Sequence, residues 1–275
     1  MIKRALFFIF ILISIVRAGG KPDKIITYKR IGDIDLTLHI FNPPRHGVSD
    51  KTPAIVFFSG GGWRKGAPSV FYKQSHYLAS RGMVAICADY RVESRHGTTP
   101  QECVKDGKSA IRWVRAHALE LGVDPERIAA GGGSAGGQIA AAAALVGGFN
   151  EKGESTTVSC IPDALVLFHP VIDNGPDGYG YGRVQTYWQD FSPIHHIDKD
   201  APPTLIMVGT ADCLIPVETV EKYKALMNAA GVRCDLQFYE GLPHSGFIEK
   251  KYYETMLETD RFLISLGYLQ GEPTL

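Results

Sequence analysis

The run Gly132-Gly133-Ser134-Ala135-Gly136 sets one serine between two glycines at the spacing G-x-S-x-G. Where a strand runs into such a turn and a helix leaves it, the serine hydroxyl is pushed clear of the backbone and serves as a nucleophile. The reason for the flanking glycines is steric: strand and helix approach too closely for a Cβ at either position, and the turn holds a strained backbone. The first amides of the following helix, that of Ala135 included, then point toward any charge developing on an attacked oxygen. A Gly-rich turn can also simply let a helix pack, or cradle a phosphate. Against the phosphate reading, the chain has neither G-x-x-x-x-G-K-[ST] nor G-x-G-x-x-G followed by an acid about 20 residues on.

Three further segments supply what a serine nucleophile needs. Ser59-Gly60-Gly61-Gly62 follows the apolar run Ala54–Phe58. Bare amides there, those of Gly61 and Gly62, would complete an oxyanion site with Ala135. Asp212 lies just past the strand-like Thr204–Val208, where an acid can fix the tautomer of a histidine and offset the imidazolium charge. It can also be read as a cap or turn aspartate, and Asp173 and Glu218 lie near strand ends as well. His244, in Gly241-Leu-Pro-His-Ser-Gly-Phe247, combines late position with a turn-rich setting; His39 and His169 fall in or at the end of strands and His117 on a helix. Ser134, Asp212, His244 is the chain order of the G-x-S-x-G hydrolases. No Cys/His spacing resembles a zinc site, and the adjacent His195 and His196 point apart. Neither metal nor organic cofactor is called for.

The elements that must hold these residues alternate. Lys24–Ile31 and Ile34–Phe41 read as antiparallel strands about Gly32-Asp33. Ala54–Phe58 is a continuous apolar run, as in a strand covered on both faces. There follow helix 72–81, strand 83–88, helix 101–121, strand 128–130, helix 138–146, strands 164–169 and 204–208, helix 217–230, strand 233–239 and helix 250–266. Such βα alternation makes an α/β fold, a mostly parallel central sheet with helices on both faces and its site at the strands' carboxyl ends. One long excursion, Asn174–Phe191, is rich in Gly, Tyr and Trp. Loops of that length are usually functional, although its aromatics could also pack on themselves.

Composition narrows the partners. The formal net charge is +0 over 275 residues, which predicts no nucleic-acid footprint and no steering of strongly charged substrates. Residues 1–18 read as a signal peptide, with Lys3 and Arg4, an apolar stretch Ala5–Val16 and a small-residue cleavage site. That stretch is shorter than the roughly 20 residues of a membrane span, so the expectation is a secreted or periplasmic protein, with residues 19–275 forming a single catalytic domain. Five widely spaced cysteines are no disulfide framework, though one or two bridges after export are open.

Taken together, Gly60-Gly-Gly-Trp63, Ala88-Asp-Tyr-Arg91, Asp124-Pro-Glu-Arg-Ile128, Gly133-Ser-Ala-Gly-Gly137, Ser192-Pro-Ile194, Pro202-Pro-Thr-Leu205, Gly209-Thr-Ala-Asp212 and Pro243-His244 resemble the α/β-hydrolase fold. More narrowly, they resemble the hormone-sensitive-lipase-like esterases and their secreted feruloyl and acetyl-xylan esterase branch. The resemblance implies Ser134 as nucleophile, Asp212 as orienting acid, His244 as base and an ester substrate. Two positions depart from it: Ser59 stands where these esterases usually carry histidine, and Gly133 replaces an aspartate common in the lipase-like branch. Trp63, Tyr187 and Trp188 are candidate substrate-binding faces for a sugar or ferulate ring. The expected substrate is thus a small-molecule or polysaccharide ester with a short acyl or feruloyl group. A general short-chain carboxylesterase or lipase and an arylformamidase-like amidase fit the same residues, and a non-catalytic binding protein fits the fold.

Overall fold

The computed structural model describes residues 20–244 and 246–275; the signal-peptide reading of residues 1–18 lies outside them. Eight strands form one sheet: β1 (Lys24–Ile31), β2 (Ile34–Phe41), β3 (Thr52–Phe58), β4 (Val84–Ala88), β5 (Val123–Gly133), β6 (Ala164–Phe168), β7 (Thr204–Gly209) and β8 (Cys234–Tyr239). Their spatial order is β1-β2-β4-β3-β5-β6-β7-β8. β1 and β2 run antiparallel to their neighbours, whereas β4, β3 and β5 through β8 are parallel.

Alternation along each buried strand divides the core into two layers. Ala54, Val56 and Phe58 of β3 belong to one, Ile55 and Phe57 to the other. The helices are α1 (Tyr72–Ser80), α2 (Glu93–His96), α3 (Pro100–Ala116), α4 (Ala118–Leu121), α5 (Ala135–Leu145), α6 (Tyr181–Val184), α7 (Trp188–Phe191), α8 (Val217–Ala229), α9 (Phe247–Lys250) and α10 (Tyr252–Ser265). Buried residues of α3, α5 and α8 fill the first layer, and those of α1, α9 and α10 the second. The helix that reads as continuous over 101–121 is broken, and the closing helix, read over 250–266, begins at Tyr252 behind a separate single turn, α9. His117 leaves helical geometry (φ −105°, ψ 19°), its ring stacked on Trp113, and separates α3 from α4. Lys251 (φ −116°, ψ 31°) separates α9 from α10.

Two features fix the helix that backs the site. α3 starts on a capping box, with Thr99 as cap, Pro100 in the first turn and the Glu102 carboxylate accepting from the Thr99 amide at 3.0 Å. Farther along, its fully buried Asp106 takes both prongs of Arg91 at 2.8 Å and the Lys29 ammonium at 2.7 Å. That knot ties α3 to β1 and to the segment after β4. Leaving Asp106 without its partners would cost about 3–5 kcal/mol, since a buried charge stripped of its pair is uncompensated. The five cysteines are all free thiols, and among the described residues no helix is long and apolar enough to cross a membrane.

Candidate active site

Ser134 sits between β5 and α5 with φ 54° and ψ −120°, a conformation that costs a residue with a side chain of order 1–3 kcal/mol. The surroundings enforce it. The Ser134 amide donates to the Phe168 carbonyl at 3.0 Å, while its own carbonyl accepts from Gln138 (3.1 Å) and Val171 (3.1 Å). A Cβ placed on Gly132 would lie 2.6 Å from the Phe58 carbonyl oxygen, and one on Gly136 only 2.1 Å from the same atom. β3 therefore passes under the turn too closely for any side chain at either position.

The structure brings Ser134, Asp212 and His244 together. The Ser134 hydroxyl lies 2.9 Å from His244 Nε2, and His244 Nδ1 lies 2.7 Å from Asp212 Oδ2. A carboxylate can only accept, so the Nδ1 proton goes to Asp212 and leaves Nε2 to accept from the serine. Asp212 Oδ1 accepts the amides of Leu214 and Ile215, both at 2.9 Å, and the Asp212 side chain is fully buried. Burial alone would raise its pKa, but the hydrogen bonds from His244 and Ile215, the His244 charge and the Leu214 amide together hold it below the usual aspartate value. Asp173 and Glu218 lie elsewhere. Asp173 accepts from the Gly175 amide and stands 3.9 Å from His195, and Glu218 is exposed in the first turn of α8.

The glycine loop lies against the nucleophile: a Cβ on Gly60 would lie 3.4 Å from Ser134 Cβ. The Gly61 carbonyl accepts the amides of Arg64 (3.1 Å) and Lys65 (3.2 Å), which fixes the peptide whose N–H belongs to Gly62. Among the described residues, the amides of Gly61, Gly62 and Ala135 take no partner from a turn, loop or side chain. Beneath the loop, Ser59 is buried, and the Tyr90 hydroxyl donates to its carbonyl at 2.6 Å.

Of the three aromatics expected to face substrate, Trp63 is covered, whereas Tyr187 and Trp188 are partly exposed. Trp63 is 1% exposed; its indole N–H donates to Gln138 at 3.2 Å and its ring packs on Tyr179 and Phe191. It is a buried strut between the glycine loop and α5, on a backbone of positive φ (59°). Tyr187 packs on Phe149 and Phe191 with its hydroxyl 3.3 Å from the Arg183 carbonyl, and Trp188 packs on Tyr181 and His195. Both remain partly exposed. The segment 174–191 thus folds into two single-turn helices, α6 and α7, pressed onto Trp63.

Sequence reasoning passed over His169, just past the end of β6. Its ring stands edge-to-face on His244 with centroids 4.2 Å apart, and its Nδ1 is 3.2 Å from both His244 nitrogens. Burial, aided by the His244 charge and opposed by Asp212, pushes its pKa down to about 3, so it stays neutral beside the base. His169, Asp212 and His244 offer ligand atoms within 4.8 Å of one another. A cation held by all three would have to break one of the two His244 contacts that make the triad, Nε2 to Ser134 or Nδ1 to Asp212.

Such an arrangement is equipped for two-step acyl transfer, in the following way. His244 takes the Ser134 proton as Oγ attacks a carbonyl, and the free amides receive the oxyanion. His244 then protonates the leaving group and activates water to release the acyl group.

Comparison with known proteins agrees with this geometry. The BD-FAE family model matches residues 38–173. Esterase LipC of Mycobacterium tuberculosis is 29% identical over 223 residues, covering 70% of this chain and 52% of the relative. The probable carboxylic ester hydrolase LipM of the same organism is 31% identical over 208 residues, covering 66% and 46%. The chain therefore spans about half the length of these relatives. Among solved structures, Thermogutta terrifontis esterase 2 superposes with a TM-score of 0.87 at 42% identity, over 90% of this chain and 96% of that one. Other solved forms of that esterase hold propionate or butyrate, or are phosphorylated by paraoxon.

Proposed function

Because the chain belongs to the α/β-hydrolase esterases, the family of Thermogutta terrifontis esterase 2, we propose that it hydrolyses carboxylic esters of short acyl groups through an acyl enzyme on Ser134. The single observation that carries this is the 2.9 Å and 2.7 Å relay from Ser134 through His244 to Asp212, set beside three amides without turn, loop or side-chain partners among the described residues. Propionate and butyrate in the related esterase support acyl groups of a few carbons. The resemblance of the motifs to feruloyl and acetyl-xylan esterases supports, as the finer reading, an acetyl or feruloyl group on a sugar hydroxyl, acting outside the cytoplasm after the signal segment is removed. Trp63 no longer contributes to that finer reading, since its ring is covered.

The test is a panel of p-nitrophenyl esters from acetate to decanoate, with acetylated xylan, methyl ferulate and an aryl formamide, each run against Ser134→Ala. Hydrolysis of the short esters that disappears in the variant, with stoichiometric phosphorylation of Ser134 by paraoxon, is the expected result. Activity that persists in Ser134→Ala overturns the assignment. A preference for decanoate overturns the short-acyl reading, and inertness toward acetylated xylan and methyl ferulate overturns the polysaccharide one.

A further inference from the structure

The arginines of this chain are paired with unusual consistency. Among the described residues every one is bridged to a carboxylate except Arg45, in an exposed loop, and Arg183, in α6. Residues 1–19 and Ser245, the remainder of the chain, contain no Asp or Glu. Arg183 is half-buried, and it stands at the oxyanion loop. One of its terminal nitrogens, Nη1, donates to the Gly62 carbonyl, and its guanidinium lies 4.9 Å from the Trp63 ring centroid and 5.8 Å from that of Tyr179. Nη2 and Nε have no partner among the described residues.

A second unengaged donor converges on the same spot. The Tyr179 hydroxyl has no hydrogen-bond partner among the described residues. A Cβ placed on Gly62 would lie 2.7 Å from that hydroxyl and 3.7 Å from Arg183 Nη2. The space kept open by the missing Gly62 side chain is thus faced by a guanidinium edge and a phenolic O–H, on the residue whose amide would hold the oxyanion. Half-buried guanidinium groups without an acid are unfavourable unless something else supplies the charge. Stacking on Trp63 and one carbonyl leave most of the five donors open.

Building on the esterase reading, we propose that Arg183, with Tyr179, is a specificity-determining residue that binds an ionised carboxylate carried by the ester substrate. That carboxylate lies a few bonds from the scissile carbonyl, on either the acyl or the alcohol part, and passes through the reaction unchanged. The fork geometry of arginine matches a carboxylate, and a charge-assisted bond of this kind is about twice as strong as a neutral one. The zero net charge of the whole chain does not oppose this, because one uncompensated, partly exposed cation at the site sets the local potential an anionic substrate meets, and salt weakens that attraction.

The experiment compares matched pairs on the full-length protein. Ethyl hydrogen succinate against ethyl 4-methylpentanoate tests the acyl side, and acetoxyacetate against isobutyl acetate the alcohol side; in each pair a carboxylate replaces an isopropyl group. In one pair, wild-type kcat/KM for the anionic ester should equal or exceed that for its neutral partner, and it should fall as NaCl rises while the neutral ester is unmoved. Arg183→Gln should lower the anionic-to-neutral ratio by roughly 10- to 100-fold, and Arg183→Lys should restore part of it. A ratio unchanged in Arg183→Gln for both pairs, or wild-type discrimination against both anionic esters without salt dependence, overturns the proposal and leaves Arg183 a strut for the Gly62 carbonyl. The salt arm needs no variant, so a poorly folding Arg183→Gln does not rescue the idea. Absence of any hydrolysis of the neutral esters would instead count against the esterase reading itself.

Discussion

Replacing Asp212 by asparagine tests the triad at its most constrained point. In the wild type one carboxylate oxygen accepts the amides of Leu214 and Ile215, both at 2.9 Å, and the other faces His244 Nδ1 at 2.7 Å. The two amides demand an acceptor, so the asparagine oxygen takes their side and its NH₂ must face His244. A donor at that place forces the imidazole into the tautomer with its proton on Nε2, where the serine hydroxyl needs a lone pair. The general base is then lost without any atom having moved. In the serine-protease template the same substitution lowers kcat by about 10⁴, and the same magnitude is expected here. Because the amide fills the same fully buried space, the melting temperature should stay within a few degrees. The assay is kcat on p-nitrophenyl acetate with thermal denaturation of the same preparation. A variant retaining more than a tenth of wild-type kcat, while Asp173→Asn or Glu218→Gln loses activity, would refute the tautomer argument and move the acid elsewhere.

Other consequences follow from the same contacts. Gly136→Ala puts a methyl about where the Phe58 carbonyl already is, so soluble yield and thermal stability should collapse even though no catalytic atom is touched; normal stability would mean β3 yields easily. Trp63→Ala removes a buried strut and should cost about 3–5 kcal/mol in urea unfolding, lowering kcat on neutral and bulky esters alike; a rise in KM confined to polysaccharide esters would restore it as a substrate face. His169 is held neutral down to about pH 3, whereas an unfolded histidine takes its proton near 6.5. Stability from this group is therefore complete above pH 6.5 and drains away as the pH falls toward 3, by up to about 1.4 kcal/mol per unit. His169→Phe should remove that slope from the pH dependence of unfolding; an unaltered slope would show that His169 titrates normally.

How far these features were legible in the sequence depends on what kind of interaction makes them. The parallel strands announced themselves, since burial on both faces leaves continuous apolar runs such as Ala54–Phe58. Ser134, Asp212 and His244 were legible because strand ends and turn residues locate them, and chain order restricts the choice. Trp63 was misjudged because a tryptophan beside a glycine turn looks exposed in one dimension, whereas its cover, Gln138, Tyr179 and Phe191, comes from distant segments. His169 and Arg183 were not legible at all. One acts across a strand end on a residue 75 positions away, and the other closes over a loop 121 positions away. The break at His117 was equally hidden, because histidine is not a helix breaker by type, and the single turn α9 ahead of Tyr252 is too short to show a helical period.

The near-collision of Gly132 and Gly136 with β3 bears on how this motif would fade over descent. Those glycines are demanded by the passage of one strand beneath another segment, and that demand continues whether or not the protein turns over a substrate. The serine between them answers only to chemistry. Lineages that abandoned catalysis would be free to change the serine quickly, and a threonine there would be unwelcome at a positive φ, while both glycines persisted. The glycine frame is therefore a marker of common architecture, and the serine, read with its histidine and aspartate, is the marker of a working enzyme.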